Sequence, residues 1–524
     1  MPLNAIAPDG SVGSAAHGNL LVQSRLSRLF KRLRQLWNRT KISRLGSYST
    51  ERRETLDEYT QNTSWMRVLL VYFSTPLPAL LLAIILECIP LQDPMAGWKA
   101  NFGAWIRLGV FLASAALGSL FQIRDAIPEL SRWRILCIGL GTGCGATLPM
   151  VALAAVWTFP LPFGIALASF SFQLAFGALL MGSIRRGGLN TRLKCKLFLI
   201  VAQSVLALAY VTFSIIFARC TSKQQFGLLV LLPVMKLAFK HLVAWLAADD
   251  KEKIPAVVVF TVDLFNGLYV SSCIQSSQSW SSSILMITLN VGRTLFSLWD
   301  IYRGARELTA TDNLGCDKRC GNGKLQKLES NKRHPVELTH SVTSQGRVAP
   351  PSIDPRHCSV NPIIDLPRMQ GQSGSTLSDF ETKPDRHSHK MLFHLEYLVL
   401  VEYVESVIPT LYVIYLLVLV QLPSAQYYPH TRHISSSQLH ASVGSIMLYA
   451  AVEVLSMLWL HVVLRRKFGF SLLYQLAFIL ETEKGLLQGR LFVWITPLLQ
   501  ITLVHFGKSM ASVVLLQSVW QFTN

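Results

Sequence analysis

The chain has 524 residues and a formal net charge of +19, with 51% hydrophobic and only 15% charged residues. Soluble globular proteins carry about 25% charged residues; with a mean hydropathy of +0.37, this composition excludes an ordinary soluble enzyme or a nucleic-acid binder. The apolar residues come in blocks near the length that crosses about 30 Å of hydrocarbon, and they lack the alternation of barrel strands. Backbone satisfaction inside lipid then requires helices. The expected fold class is all-α, a polytopic helical membrane bundle of about eleven spans, with ten to twelve admitted by the pattern.

Residues 1–18 read as disordered, and the opening MPLNAIAPDGSVGSAAHGNLL lacks the basic start and apolar core of a signal peptide. Residues 22–45 contain no acid. Leu26, Leu29, Phe30, Leu33, Leu36 and Trp37 recur at helical spacing among Arg25, Arg28, Lys31, Arg32 and Arg34. That pattern fits a helix lying on an anionic lipid surface. A basic helix packed on the protein's own loops fits it equally. Residues 1–66 thus form a basic tail.

Spans are expected near 68–88, 104–122, 135–157, 160–181, 197–218, 226–246, 255–273, 283–301, 397–420, 441–463 and 488–507. The first eight make one membrane region, 67–301, and the last three a second, 391–524. Lys and Arg gather before the first span and in alternate connections, whereas SSCIQSSQSWSSS, 271–283, has no charge. Positive charge stays on the cytoplasmic side. The N-terminus and the loop 302–390 are therefore expected inside, and the C-terminus outside. KFGFSLLYQLAFIL, 467–480, is too short and too polar at its ends for a normal span, and reads as interfacial or re-entrant. If it crosses, the C-terminus returns inside.

The loop 302–390 is rich in Ser, Pro, Gly and charge, and reads as mostly disordered. Cys316, Cys320, His334 and His340 within it have loose spacing, so no metal site is assigned and no cofactor is expected. Pro76 and Pro90 bracket a segment as Pro409 and Pro423 do, a weak hint of a repeat built on broken helices. LGTGCGATLP, 140–149, lies inside an apolar block, where close helix packing explains the glycines better than phosphate binding.

YSTERRETLDEYTQNTSWMRVLLV (48–71), STPLPALLLAIILECIPLQDPMAGWKANFGAWIR (74–107), YVESVIPTLYVIY (403–415) and FGFSLLYQLAFILETE (468–483) together resemble a family of uncharacterised multi-pass membrane proteins of oomycetes. The resemblance covers the membrane region and not the loop 302–390. It implies no activity and carries over no site residue.

Several ionisable residues fall within the expected spans: Asp263, Arg293, Glu402, Glu405 and Glu453. Each would cost roughly 2.5–3.5 kcal/mol facing lipid at mid-depth. They are expected to face a shared polar interior. Asn266 lies three residues after Asp263, and Asn290 three before Arg293, which places an amide and a charge on one helix face in each span. Asp263 and Arg293 read as a structural salt bridge or as a binding pair. Glu402 and Glu405, also three apart, suit a proton or cation relay, or sit near the headgroups.

No HExxH, Walker A or GxGxxG motif is present. The ionisable residues within the expected spans favour a secondary transporter or permease for a charged solute or proton, since such residues often line pathways. A membrane scaffold or receptor recruiting cytoplasmic protein partners through its tail and loop is the alternative, and an intramembrane enzyme the third. The plasma membrane is the expected location.

Overall fold

The computed structural model describes residues 46–184, 190–219, 222–277, 284, 288, 292, 294–296, 299, 383–432, 434–468, 471–500, 503 and 505. The protein is all-α, and no strand occurs among the described residues. Among the described residues, eight helical segments are long and apolar enough to cross a membrane. The expectations for 22–45, for Asn290 and Arg293, and for Cys316, Cys320, His334 and His340 fall outside the described residues, as does most of 283–301.

The helices used below are α1 Thr50–Asn62, α2 Trp65–Ser74, α3 Leu77–Glu87, α4 Phe102–Ile123, α5 Arg132–Val156, α6 Gly164–Ser183, α7 Thr191–Arg219 and α8 Ser222–Leu246. Then come α9 Ile254–Val258, a π-helical turn Val259–Asp263, and α10 Leu264–Ser277, which together make one crossing. They are followed by α11 Lys383–Leu419, α12 Ser436–Phe468, α13 Leu472–Thr482 and α14 Lys484–Gln500. Ser49, Ser64 and Ser131 cap α1, α2 and α5 by accepting a backbone N–H three residues on.

Helix α8 has 25 residues; at 1.5 Å per residue that is about 37 Å, enough for hydrocarbon. Helix α14 has 17, or about 25 Å. These two occupy the expected spans 226–246 and 488–507. Helix α11 starts at Lys383, inside the expected loop, because its polar first turns continue the helix beyond the apolar stretch. The proline pairs do not mark a repeat: Pro76 caps the break between α2 and α3, whereas Pro409 lies within an unbroken α11.

The polar contacts at helix ends sort into two faces. One holds Tyr48, Arg52, Glu252, Lys253, Glu396 and Glu483. The other holds Glu87, Asn101, Tyr428 and His505. Between them, 89% of the residues in the apolar 18-residue stretch of Lys251–Gln275 are buried and 78% in that of His389–Leu419, against 28% for Gly164–Ser183. The first two are therefore the centre of the bundle. Peripheral helices turn Leu70, Phe73, Leu81, Leu148, Phe170 and Phe198 outward, where lipid replaces water as their solvent.

Within the segment expected to be interfacial or re-entrant, α13 is a short helix packed on the Arg52 face. Near the start of α13, Gln475 Nε2 donates to Tyr48 Oη at 3.1 Å and to the Leu392 carbonyl at 3.1 Å. Just after its end, Glu483 meets Arg52 at 3.6 Å. Leu472, Leu476, Ala477 and Ile479 are buried against protein, so α13 is enclosed by its neighbours and does not float on lipid. The glycines of α5 pack as expected: a Cβ at Gly143 would collide with the Gly109 carbonyl and Ala113 of α4, and one at Gly139 with Leu117.

Candidate functional site

Three buried polar layers cross the bundle. At the Arg52 face, the Arg52 guanidinium reaches Glu396 at 3.2 Å, Glu483 at 3.6 Å and Glu252 at 4.0 Å. Burial pulls this guanidinium down, but Glu396, Tyr48 and Glu483 more than offset it and hold Arg52 above its ordinary range. Burial, followed by the charge of Glu396, pushes the Tyr48 phenol well above its ordinary value. The layer joins α1, α9, α11 and α13 and fixes how the N-terminal segment meets the bundle.

At the opposite face, Arg107 Nη1 meets Glu87 Oε2 at 2.8 Å, and Arg107 Nη2 donates to the Glu87 carbonyl at 3.0 Å. Glu87 Oε1 accepts from Tyr428 at 2.6 Å and Tyr415 at 2.9 Å. This carboxylate is fully satisfied by a cation and two phenols, as a buried charge must be.

The middle layer contains the expected site residues. Asp263 is 0% exposed and closes the π-turn. Single π-turns inside α-helices recur at functional sites, because the extra residue re-aims side chains. Lys236 Nζ lies 2.8 Å from Asp263 Oδ1, and Lys240 Nζ 2.8 Å from Oδ2. Lys236 also meets Glu405 Oε1 at 3.1 Å. Lys240 donates to Tyr397 Oη at 2.7 Å and lies 5.2 Å from the centroid of that ring. Two acids and two lysines from the π-turn, α8 and α11 thus form a single network. The side chain of Lys236 retains 13% exposure, while those of Asp263 and Glu405 are sealed.

Asp263 and Glu405 are therefore brought together, through Lys236. Among the described residues, the cations on Asp263 are Lys236 and Lys240. Asn266 is buried one turn along α10. Glu402 faces elsewhere: Oε1 accepts from Thr294 Oγ1 at 2.9 Å and Oε2 from Ser456 Oγ at 3.0 Å. The two glutamates three apart consequently serve different neighbours, and both are buried. Glu453 is buried on α12. Sequence reasoning missed Lys236 and Lys240. Their signal was present: two lysines four apart inside VMKLAFKHLV, on one face of an apolar helix.

One further feature stands apart from the three layers. Arg490 of α14 is 0% exposed. Its Nη1 donates to the Thr261 hydroxyl, two residues before Asp263. A separate cavity of about 120 Å³ lies between α4, α6, α7 and α14, lined by Trp105, Phe111, Phe172, Gln203, Trp494 and His505 among others. It is mostly apolar and does not include Asp263 or Glu405. No group of His, Cys, Asp and Glu among the described residues has the arrangement of a metal site. Comparisons with protein-family models, with curated proteins and with solved structures give no match to this chain.

Proposed function

We propose that this multi-pass membrane protein is a secondary transporter or permease for a charged solute, with Asp263, Lys236, Lys240 and Glu405 as its coupling network. The observation that carries the reading is Lys236, shared between two sealed carboxylates while keeping partial exposure. A solute cation or a transferred proton competes with Lys236 for Asp263 and Glu405. When Lys236 is displaced, the tie between α8 and α11 loosens, and the helices move relative to one another. Ionisable groups at such depth are expensive and commonly line pathways. On this reading the Arg52 face is cytoplasmic and the bundle sits in the plasma membrane, in keeping with the positive charge of the alternate loops.

A static tie is the second reading, favoured by the 2.8 Å pairing of both Asp263 oxygens. Reconstituted vesicles separate the two. Uptake of labelled amino acids, dicarboxylates and organic cations is measured under imposed proton or sodium gradients. Transport predicts accumulation of one class by the wild type and at least a tenfold loss in Glu405→Gln at retained folding. Wild-type vesicles that match protein-free vesicles for every probe would leave only the static tie.

A further inference from the structure

We infer that Arg490 forms a binding site for a small monovalent anion of the halide kind, in a cavity lined by α4, α7, α9 and α14. Thr261 Oγ1 donates to the Val257 carbonyl at 2.6 Å, so it can only accept from Arg490 Nη1. Arg490 Nε and Nη2 have no hydrogen-bond partner among the described residues. Nor does any carboxylate oxygen among them lie within 4.0 Å of the guanidinium. A sealed guanidinium without a counter-charge is among the least tolerable arrangements in a protein interior.

Gln122 of α4 lines the same cavity as Arg490. Its Oε1 accepts from Gln203 Nε2 at 2.9 Å, which leaves Gln122 Nε2 as a further buried donor without a partner. Gln203 Oε1, on the other side of that amide pair, is a buried acceptor without a partner, so the demand for an anion rests on Arg490 Nε and Nη2, two sealed cationic donors.

Size and charge narrow the guest. The cavity holds about 30 Å³, room for one water-sized or halide-sized particle, given that about 10–15 Å³ suffices for one water. A compact anion fits this volume best. Asp249 and Asp250 also line it, and Asp250 is held by Arg192 and by Lys196, the latter at 3.7 Å. Those carboxylates disfavour a dianion while leaving Arg490 to hold a single negative charge.

The site is independent of the transport reading, and its test does not measure flux. Full-length protein in detergent micelles is melted in sodium chloride, sodium bromide and sodium gluconate at matched ionic strength. A saturable rise in melting temperature with chloride and bromide, absent in gluconate, is the expected result, since a ligand that binds only the folded state stabilises it by mass action. Gln122→Leu should raise the half-effective chloride concentration about tenfold, the value of one charge-assisted donor. Arg490→Gln should abolish the response. If Arg490→Gln does not fold, Gln122→Glu supplies the negative charge in place and should melt independently of chloride. Equal melting of the wild type in chloride and gluconate would overturn the site, and so would a chloride response unchanged in both Gln122 variants.

Discussion

Replacing Asp263 by Asn removes the acid that holds two lysines inside the bundle. Each lysine sits 2.8 Å from a carboxylate oxygen. At an effective dielectric near 20, a unit charge pair at that distance attracts by about 6 kcal/mol. Much of this is offset by the desolvation of the ions, and breaking a buried pair by removing one partner costs about 3–5 kcal/mol. The two lysines fare differently. Lys236 keeps Glu405 at 3.1 Å, while Lys240 keeps the Tyr397 hydroxyl. The destabilisation of Asp263→Asn should therefore come mainly from Lys240. Adding Lys240→Met to Asp263→Asn should recover at least about 2 kcal/mol, within the usual range for coupled neighbours. The assay is unfolding of purified variants in mixed micelles, followed by tryptophan fluorescence and closed as a double-mutant cycle. Additive losses in the double variant would refute the pairing. An Asp263→Asn penalty below about 1 kcal/mol would show that the network carries little of the stability assigned to a buried pair.

At the crossing of α4 and α14, a Cβ on Gly118 would strike the Gly489 carbonyl. Gly118→Val should cost about 1–3 kcal/mol or more by overpacking, while Gly177→Ala, with nothing within 4 Å of its added Cβ, should stay within about 0.5 kcal/mol in the same melt. Tyr48 has its phenol pKa raised above the ordinary 10.0 by burial and by Glu396, so the folded state keeps a proton that the unfolded chain releases. Its contribution is fully present below pH 10 and declines as pH rises through the folded value. Melting between pH 8 and 11 should therefore fall less steeply in Tyr48→Phe than in the wild type, and a steeper fall would contradict the assignment.

The spans were legible because lipid leaves the backbone no alternative to helix, and twenty or so apolar residues announce that requirement locally. Asp263, Glu402, Glu405 and Glu453 were legible for the same reason: a charge in such a block needs an interior. Their partners were not. Lys236 and Glu405 are 169 residues apart, and Arg52 and Glu396 are 344 apart. Which helices adjoin, and how each is rotated, is set by packing over the whole bundle and leaves no local periodicity. Hydropathy also concealed the lysines of α8, since averaging over a window lets many leucines mask two cations. Arg490 and Glu87 were hidden differently. Each lies near an expected span end, where a charge passes as a headgroup contact, and the fold instead encloses both. Helix α13 shows the converse limit: its length excluded a normal span, but only its neighbours decide that it is enclosed by protein.

The placement of α14 sets a schedule for biosynthesis. This late helix lies against the earliest ones: Gln488 donates to the Thr75 carbonyl, and Gln500 reaches Glu87, each across 413 residues of sequence. At about 5–20 residues per second, a ribosome needs roughly 20–80 s to make that much chain. During that time α3 and α4 are already in the bilayer with the groove for α14 unfilled. The Glu87–Arg107 pair, only 20 residues apart, can form at once and shield its charges from lipid. The Thr75 carbonyl and the Gly118 face must wait. Synthesis halted before Lys484 leaves this groove open to lipid and to other unfinished chains, so membrane quality control would meet the truncated protein at the surface of α3 and α4.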